Sequence, residues 1–102
     1  MKELLFVYGS LKRSGKNHLL LRDSRFLGEQ STVSEYMLGQ VGEFPAMVQV
    51  KLNGQSISGE VFLVNDTLLA ELDIFEEVPI VYHRKMVRLQ DGTTAWAYFK
   101  AD

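Results

Sequence analysis

The residues best suited to acid–base chemistry are two adjacent glutamates, Glu76 and Glu77, in the segment ELDIFEE. A helix that starts at Asp66 and turns about 100° per residue places Glu76 on its apolar side and Glu77 on the opposite side. That apolar side also carries Leu68, Leu69, Leu72 and Phe75. Because ionised carboxylates are rarely buried without a partner, we expect Glu77 at the solvated surface, whereas Glu76 requires an explanation.

Two interpretations of Glu76 are open. In the first, it lies at the rim of the core, and its carboxylate turns to water or pairs with an arginine such as Arg84, as ion pairs often do near helix ends. In the second, it is a general base held in a cleft, where burial and the negative end of its own helix raise its pKa. The helical pattern alone favours the first interpretation.

A second candidate site is the loop Tyr8-Gly9-Ser10-Leu11, which follows the first predicted strand. A glycine at a strand end permits backbone angles that point successive N–H groups at one spot, which suits an anion or a developing oxyanion. A glycine that only ends a strand looks the same in the sequence. The loop is therefore a candidate only in combination with another feature.

Other catalytic classes fit the sequence poorly. The chain has no cysteine, which excludes thiolate chemistry. His18 and His83 have no companions at ligand spacing, and Ser10 has no base at motif spacing, so we predict neither a metal site nor a serine triad. The run GSLKRSGKN departs from the spacing of a phosphate-binding loop and ends in Asn17, where Ser or Thr would bind magnesium. We expect no metal and no cofactor.

Size and charge narrow the class of protein further. The chain has 102 residues, is 46% hydrophobic and carries a net charge of −2, which predicts one domain over residues 1–102 with its own core. Lys12, Arg13 and Lys16 form only a small cluster, so we expect no nucleic-acid partner. The apolar run LLFVY is too short for a signal peptide or a membrane span. We therefore expect a cytoplasmic protein without a membrane partner.

The pattern of apolar residues predicts the elements that position these candidates. We predict strands near 2–8, 26–33, 35–41, 45–51, 56–64, 82–90 and 93–100, and a short helix near 17–22. The long helix is expected to begin after a cap at Asn65 or Asp66 and to be stopped by Pro79. Asn53-Gly54 and Asp91-Gly92 predict two hairpins. The expected fold is α+β, a small and mostly antiparallel barrel of about six strands with one long and one short flanking helix.

Four segments together carry a resemblance to a known family. They are VYGSLKRSGKNHLLL at the front, SGEVFLV in the middle, LDIFEEVPIVYHR at the helix end and Trp96-Ala97-Tyr98 near the end. In this order and spacing they resemble the γ-glutamylcyclotransferase-like superfamily, with the greatest similarity to its γ-glutamylamine cyclotransferase (AIG2-like) branch. The resemblance extends over nearly the whole chain and implies a small barrel flanked by helices.

The resemblance also implies a reaction and the residues that carry it. It implies release of 5-oxoproline and a free amine from a γ-glutamyl amide, through attack by the substrate's own α-amino group. It assigns Glu76 as the catalytic residue, which favours the second interpretation above, and it places the substrate against Tyr8, Gly9, Ser10, Leu11 and Tyr82. Intramolecular attack requires no nucleophile from the protein, which agrees with the poor fit of the other classes.

The sequence also leaves other functions open and predicts the partners of the protein. A protein of the same fold could instead be a non-catalytic module that binds a small ligand, or an adaptor that pairs through a sheet edge. We expect a small-molecule γ-glutamyl substrate as the partner, and a monomer or a weak homodimer. Arg84 is expected to brace the long helix, as a partner for Asp73 or another carboxylate near the helix end, rather than to bind substrate.

Overall fold

The computed structural model describes residues 2–101, which form seven strands, one α-helix and a short 3₁₀ turn. The α-helix is α1 (Asp66–Phe75), and the 3₁₀ turn is His18–Leu21. The strands are β1 (Lys2–Val7), β2 (Arg25–Ser31), β3 (Tyr36–Val41), β4 (Phe44–Gln49), β5 (Ser58–Asn65), β6 (Tyr82–Arg88) and β7 (Thr94–Lys100). The prediction of an α+β fold is confirmed, but the short flanking helix is a 3₁₀ turn rather than an α-helix.

The strands form one mixed sheet in the order β2-β5-β1-β7-β4-β3, and β6 pairs with β7 off this path. β6 pairs antiparallel with β7 along its whole length, which leaves one edge of β7 for two other strands. β1 and β4 both run parallel to β7 on that edge, through the pairs Leu5–Trp96 and Met47–Phe99. The sheet therefore forks at β7, and β1 and β4 are its two arms.

The predicted closed or nearly closed barrel is wrong, although the strand pairs of the sheet are mostly antiparallel, as predicted. β2 and β3 are the end strands of the path and do not pair with each other within residues 2–101. Thr32, just after β2, and Leu89, just after β6, form an isolated bridge. One bridge is not a continuous strand pairing, so it does not close the sheet. The prediction failed because it paired strands in chain order, whereas β1 pairs with β5 and β7, which are remote in the sequence.

One of the two predicted hairpins is confirmed and the other is wrong. β6 and β7 are joined by a turn at Asp91-Gly92, where Gly92 has φ +91°. Asn53 also has a positive φ of +58°, but β4 does not pair with β5, because β1 and β2 occupy both edges of β5. The hairpin in this region instead joins β3 to β4 through Gly42, with φ +60°.

Helix α1 begins as predicted and ends earlier than predicted. The N–H of Leu68 donates to Oδ1 of Asn65 at 2.7 Å, which is the expected N-cap. The helix ends at Phe75, before Pro79, because Glu77 adopts the left-handed conformation with φ +53°. The N–H of Glu77 then donates to the carbonyl of Ile74 at 3.0 Å, and that of Val78 to the carbonyl of Asp73 at 3.0 Å, which is a Schellman motif.

Two apolar clusters pack against the sheet, and α1 covers one of them. Successive side chains of β1 alternate between the clusters, with Leu5 and Val7 in the one that contains Leu69 and Leu72 of α1, and Phe6 in the other. Leu69 and Leu72 are buried as the helical pattern predicts, whereas Phe75 is 44% exposed. The last turn of α1 therefore extends past the core, and Phe75 lines a surface cavity instead.

Candidate active site

A cavity of 220 Å³ lies where β1 and β4 separate along β7. The end of β1 and its following loop, the start of β4, the end of α1 and the start of β6 all contribute to its walls. The cavity brings together all six residues that the sequence predicted as site residues, which are Tyr8, Gly9, Ser10, Leu11, Glu76 and Tyr82. Most of the remaining walls are apolar and come from Phe6, Val7, Val41, Phe44, Pro45, Phe75 and Val81.

Glu76 is the C-cap residue of α1 and is partly buried at the cavity wall. Its carboxylate makes no hydrogen bond or ion pair with any residue of the described range 2–101. Burial disfavours the charged form and raises the pKa of Glu76 to about 7. Glu77 is exposed, so the helical pattern correctly separates the two glutamates, although Glu77 also contributes to the cavity rim.

Arg84 is engaged with Asp73 and not with Glu76. Its Nε donates to Oδ1 of Asp73 at 2.7 Å and its second guanidinium nitrogen donates to Oδ2 at 3.0 Å. The Tyr98 hydroxyl donates to the same Oδ1 at 2.8 Å, and the guanidinium lies 4.3 Å from the centre of the Trp96 ring. The predicted contact of Arg84 with a carboxylate near the helix end is confirmed, and this two-point contact ties the last turn of α1 to β6 and β7.

Tyr8 spans the fork of the sheet through its hydroxyl group. This hydroxyl accepts from the N–H of Met47 in β4 at 2.8 Å and donates to the carbonyl of Tyr98 in β7 at 2.5 Å. Burial is the main cause that raises the pKa of Tyr8, with smaller contributions from Tyr82 and from the charge of Glu76. Both hydrogen bonds of the hydroxyl therefore go to backbone groups, and Tyr8 lines the cavity with its other atoms.

The loop after Tyr8 is a compact turn with unused backbone donors. The carbonyl of Ser10 accepts from the N–H of Asn17 at 2.8 Å, and its hydroxyl accepts from Nδ2 of Asn17 at 2.9 Å. A Cβ at Gly15 would lie 2.2 Å from the Ser10 carbonyl oxygen, so only glycine fits there. Within residues 2–101, the N–H groups of Gly9, Ser10 and Leu11 have no acceptor, which leaves them free for an anionic ligand atom.

Tyr82 is partly buried at the cavity wall. Burial is the main cause that raises its pKa, and the charge of nearby Glu76 raises it further. Its hydroxyl has no hydrogen-bond partner in the described part of the chain. Tyr82 therefore keeps its proton at neutral pH and can donate it in a hydrogen bond to a ligand.

Sequence reasoning assigned no role to two polar residues that shape this loop, Asn17 and Glu60. Glu60 is only 7% exposed, and its carboxylate accepts from the backbone N–H of Arg13 at 2.7 Å and from Nε of Arg13 at 3.2 Å. An acidic residue inside the apolar strand segment SGEVFLV was the available signal, because buried carboxylates require partners. Its partner could not be predicted, since the two residues are far apart in the sequence.

Neither a metal-binding cluster nor a helix that could span a membrane occurs within residues 2–101. In that part of the chain, no three His, Cys, Asp or Glu side chains come close enough together to hold a metal ion. The described residues also include no helix with the length and apolar character needed to cross a bilayer.

The fold and the cavity define a small α+β protein built around one partly buried carboxylate and an adjacent loop of free N–H donors. The family model for γ-glutamyl cyclotransferase, AIG2-like, matches residues 5–102, and the chain belongs to this family. The family membership that the sequence motifs indicated is therefore confirmed.

Two curated proteins and one solved structure illustrate the relationship. The chain is 43% identical to a Vibrio cholerae protein provisionally named a γ-glutamylcyclotransferase, over 96% of this chain and 82% of that protein. It is 37% identical to the human γ-glutamylaminecyclotransferase, over 85% of this chain but only 61% of the human protein. The structure of an AIG2-like protein from Mus musculus superposes with a TM-score of 0.89 at 30% identity, over 98% of this chain and 78% of that one.

Proposed function

We propose that this protein releases 5-oxoproline and a free amine from a γ-glutamyl amide, with Glu76 as the general acid and base. The observation that carries the proposal is the state of Glu76, a partly buried carboxylate whose pKa is raised to about 7 and which has no partner in the described chain. It shares one cavity with the free N–H groups of the loop after β1. A proton-transfer group and a set of oxyanion donors are the two things that this reaction requires.

The first half of the reaction forms the new carbon–nitrogen bond. The Glu76 carboxylate takes one proton from the substrate's α-ammonium group, and the neutral amine then attacks the γ-carbonyl carbon of the same molecule. Since both reacting groups belong to one substrate, the protein needs only to hold the substrate in a folded conformation. The negative charge that develops on the carbonyl oxygen is stabilised by the backbone N–H groups of Gly9, Ser10 and Leu11.

The second half breaks the original amide bond. Protonated Glu76 donates its proton to the leaving nitrogen and takes the second proton from the attacking nitrogen, which is now part of the ring. The carbon–nitrogen bond to the leaving group breaks, and the oxyanion returns to a carbonyl. Glu76 then gives its proton to the released amine, which restores the carboxylate. A group with a pKa near 7 is suited to both directions of transfer at neutral pH.

The test is a 5-oxoproline release assay on γ-glutamyl-alanine, γ-glutamyl-ε-lysine and glutathione, with Glu76→Gln and Glu77→Gln as a matched pair. We expect Glu76→Gln to lower turnover by ~10²–10⁴-fold, because the proton-transfer group is lost while the side chain keeps its shape. Glu77→Gln should retain turnover, because its carboxylate is exposed. The panel also identifies the preferred leaving amine.

The same assay can overturn the proposal. Equal turnover of the two variants would remove Glu76 from the mechanism. No release by the folded wild-type protein, together with saturable binding of 5-oxoproline, would indicate a ligand-binding module of the same fold.

We further propose that the protein acts in the cytoplasm, without a cofactor, and as a monomer or weak homodimer. Cell fractionation would test the location, and analytical sedimentation would test the oligomeric state.

A further inference from the structure

One buried carboxylate of the sheet contacts the loop that follows β1. Glu60 lies in β5, where it is paired with Val7 at the end of β1. Its side chain accepts from the Arg13 backbone N–H at 2.7 Å and from the Arg13 Nε at 3.2 Å. The Arg13 guanidinium also lies 3.7 Å from the centre of the Phe26 ring. Arg13 is thus held by its backbone N–H, by the Nε edge of its guanidinium group and by one guanidinium face.

The loop makes its other polar contacts mainly within itself. Lys12 N–H donates to the Gly9 carbonyl at 3.1 Å, and Gly15 N–H donates to the Lys12 carbonyl at 2.7 Å. Together with the contacts between Asn17 and Ser10, these bonds fix the shape of the loop. Its placement on the sheet depends on the buried side chain of Leu11, which packs in the core cluster that contains Phe62, and on the contacts with Glu60. A charge-assisted bond from a rigid, buried strand residue is strong and directional, so Glu60 is well suited to fix that placement.

We propose that Glu60 is a positioning residue, which acts through Arg13 to hold the N–H groups of Gly9, Ser10 and Leu11 at the place where the substrate oxyanion forms. This inference rests on the proposed function for its kinetic consequence, but the anchoring itself is independent of it. A displacement of oxyanion donors by about 1 Å can cost on the order of 10²-fold in rate. Glu60 therefore influences catalysis without touching the substrate.

The experiment compares Glu60→Ala, Glu60→Gln and a control, Glu35→Ala. Glu35 accepts from Arg88 at 2.8 and 3.1 Å in an exposed Arg–Glu pair that does not line the cavity. We expect Glu60→Ala to lower kcat on the order of 10–100-fold, with a smaller change in KM, because the donors act mainly on the transition state. Glu60→Gln keeps an acceptor for the Arg13 N–H and should remain within about fivefold of wild type. The control should match wild type.

An activity-independent measurement completes the test. In wild-type protein, amide NMR should show the Arg13 N–H protected from hydrogen exchange, and Glu60→Ala should shift the amides of residues 9–13 while those near Glu35 stay unchanged. An unprotected Arg13 amide in wild type would overturn the inference even if Glu60→Ala fails to fold. So would a folded Glu60→Ala variant with the kcat of Glu35→Ala. Absence of turnover in wild type contradicts the proposed function instead, and leaves the NMR result to decide on the anchor.

Discussion

Burial holds a proton on Glu76 more tightly than on an exposed glutamate, and this controls when the residue can act as a base. Its pKa is raised from 4.5 to about 7 by loss of hydration. Because the shift is upward, the carboxylate form is in the minority below pH 7 and becomes dominant above it. The free protein is therefore divided between the two forms near neutral pH, so a proton can be both taken up and returned without a large energy difference.

This pKa predicts the acid side of the pH–rate profile. We expect kcat/KM to rise with pH through an apparent pKa near 7, because kcat/KM reports the free protein. The profile of kcat should have its limb at lower pH, since a bound ammonium group favours the charged carboxylate. Initial rates of 5-oxoproline release between pH 5 and 9 would provide both profiles. A limb near the ordinary glutamate value of 4.5 in kcat/KM, or a limb that moves in Glu77→Gln, would contradict the assignment.

At the scale of single residues, the sequence predicted those whose surroundings are local. Glu76 and Glu77 were distinguished by helical periodicity alone, and Asp73 was one of the partners expected for Arg84, which follows the helix by a few residues in the chain. Glu60 received no role because its partner belongs to another segment of the chain. Ion pairs between distant segments depend on the sheet topology, which periodicity does not encode.

At the scale of elements, the C-terminus of α1 places Glu76 at the cavity and Glu77 in a strained conformation. A left-handed conformation costs a non-glycine residue about 1–2 kcal/mol, whereas glycine adopts it freely. Glu77 has φ +53° and occupies the position that glycine usually takes in a Schellman motif. The turn is held by the Glu77 and Val78 N–H groups, so the strain is balanced by hydrogen bonds.

Replacement of this residue should stabilise the protein. We expect Glu77→Gly to raise the free energy of unfolding by about 0.5–1 kcal/mol. Glycine relieves the strain of the left-handed conformation, but part of that gain is lost because glycine has more conformational entropy in the unfolded chain. Glu77→Ala is the matched control, because it removes the same charge and keeps the strain, and it should give no gain. Urea denaturation measures both. A gain of equal size in the two variants would assign the effect to charge instead of backbone conformation.

Turn signals predicted where the chain changes direction, but not which strands become neighbours. Asn53 adopts the positive φ that Asn-Gly dipeptides favour, and yet the flanking segments do not form a hairpin. A turn determines a few dihedral angles, whereas the pairing of β5 is decided by β1 and β2. For the same reason the elements of the α+β fold were largely predictable, whereas their arrangement was not, and the barrel prediction was wrong.

At the scale of the whole molecule, the cavity exists because two strands share one edge of β7. Where β1 and β4 diverge, the Tyr8 hydroxyl accepts from the Met47 N–H of β4 and donates to the Tyr98 carbonyl of β7. Buried backbone groups that lose their partner cost about 1–3 kcal/mol each. Tyr8 thus supports the fork and lines the cavity that the fork creates.

Removal of this hydroxyl should weaken the whole fold. We expect Tyr8→Phe to lower the free energy of unfolding by about 2–6 kcal/mol, because a donor and an acceptor each lose a partner. Tyr36→Phe provides a comparison, since within residues 2–101 the Tyr36 hydroxyl takes part in one backbone hydrogen bond, accepted from Arg88 N–H at 3.1 Å. Thermal and urea unfolding should show the larger loss for Tyr8→Phe. A smaller loss than that of Tyr36→Phe would show that the fork does not depend on this hydroxyl.

The partly buried carboxylate of Glu76 also has a consequence for the departure of the product. The α-ammonium group of the proposed substrate is a cation that can pair with this carboxylate when it arrives. Ring closure converts that nitrogen into a neutral lactam N–H, so the attraction disappears at the moment the reaction is complete. The chemistry itself thus weakens the hold of the protein on 5-oxoproline.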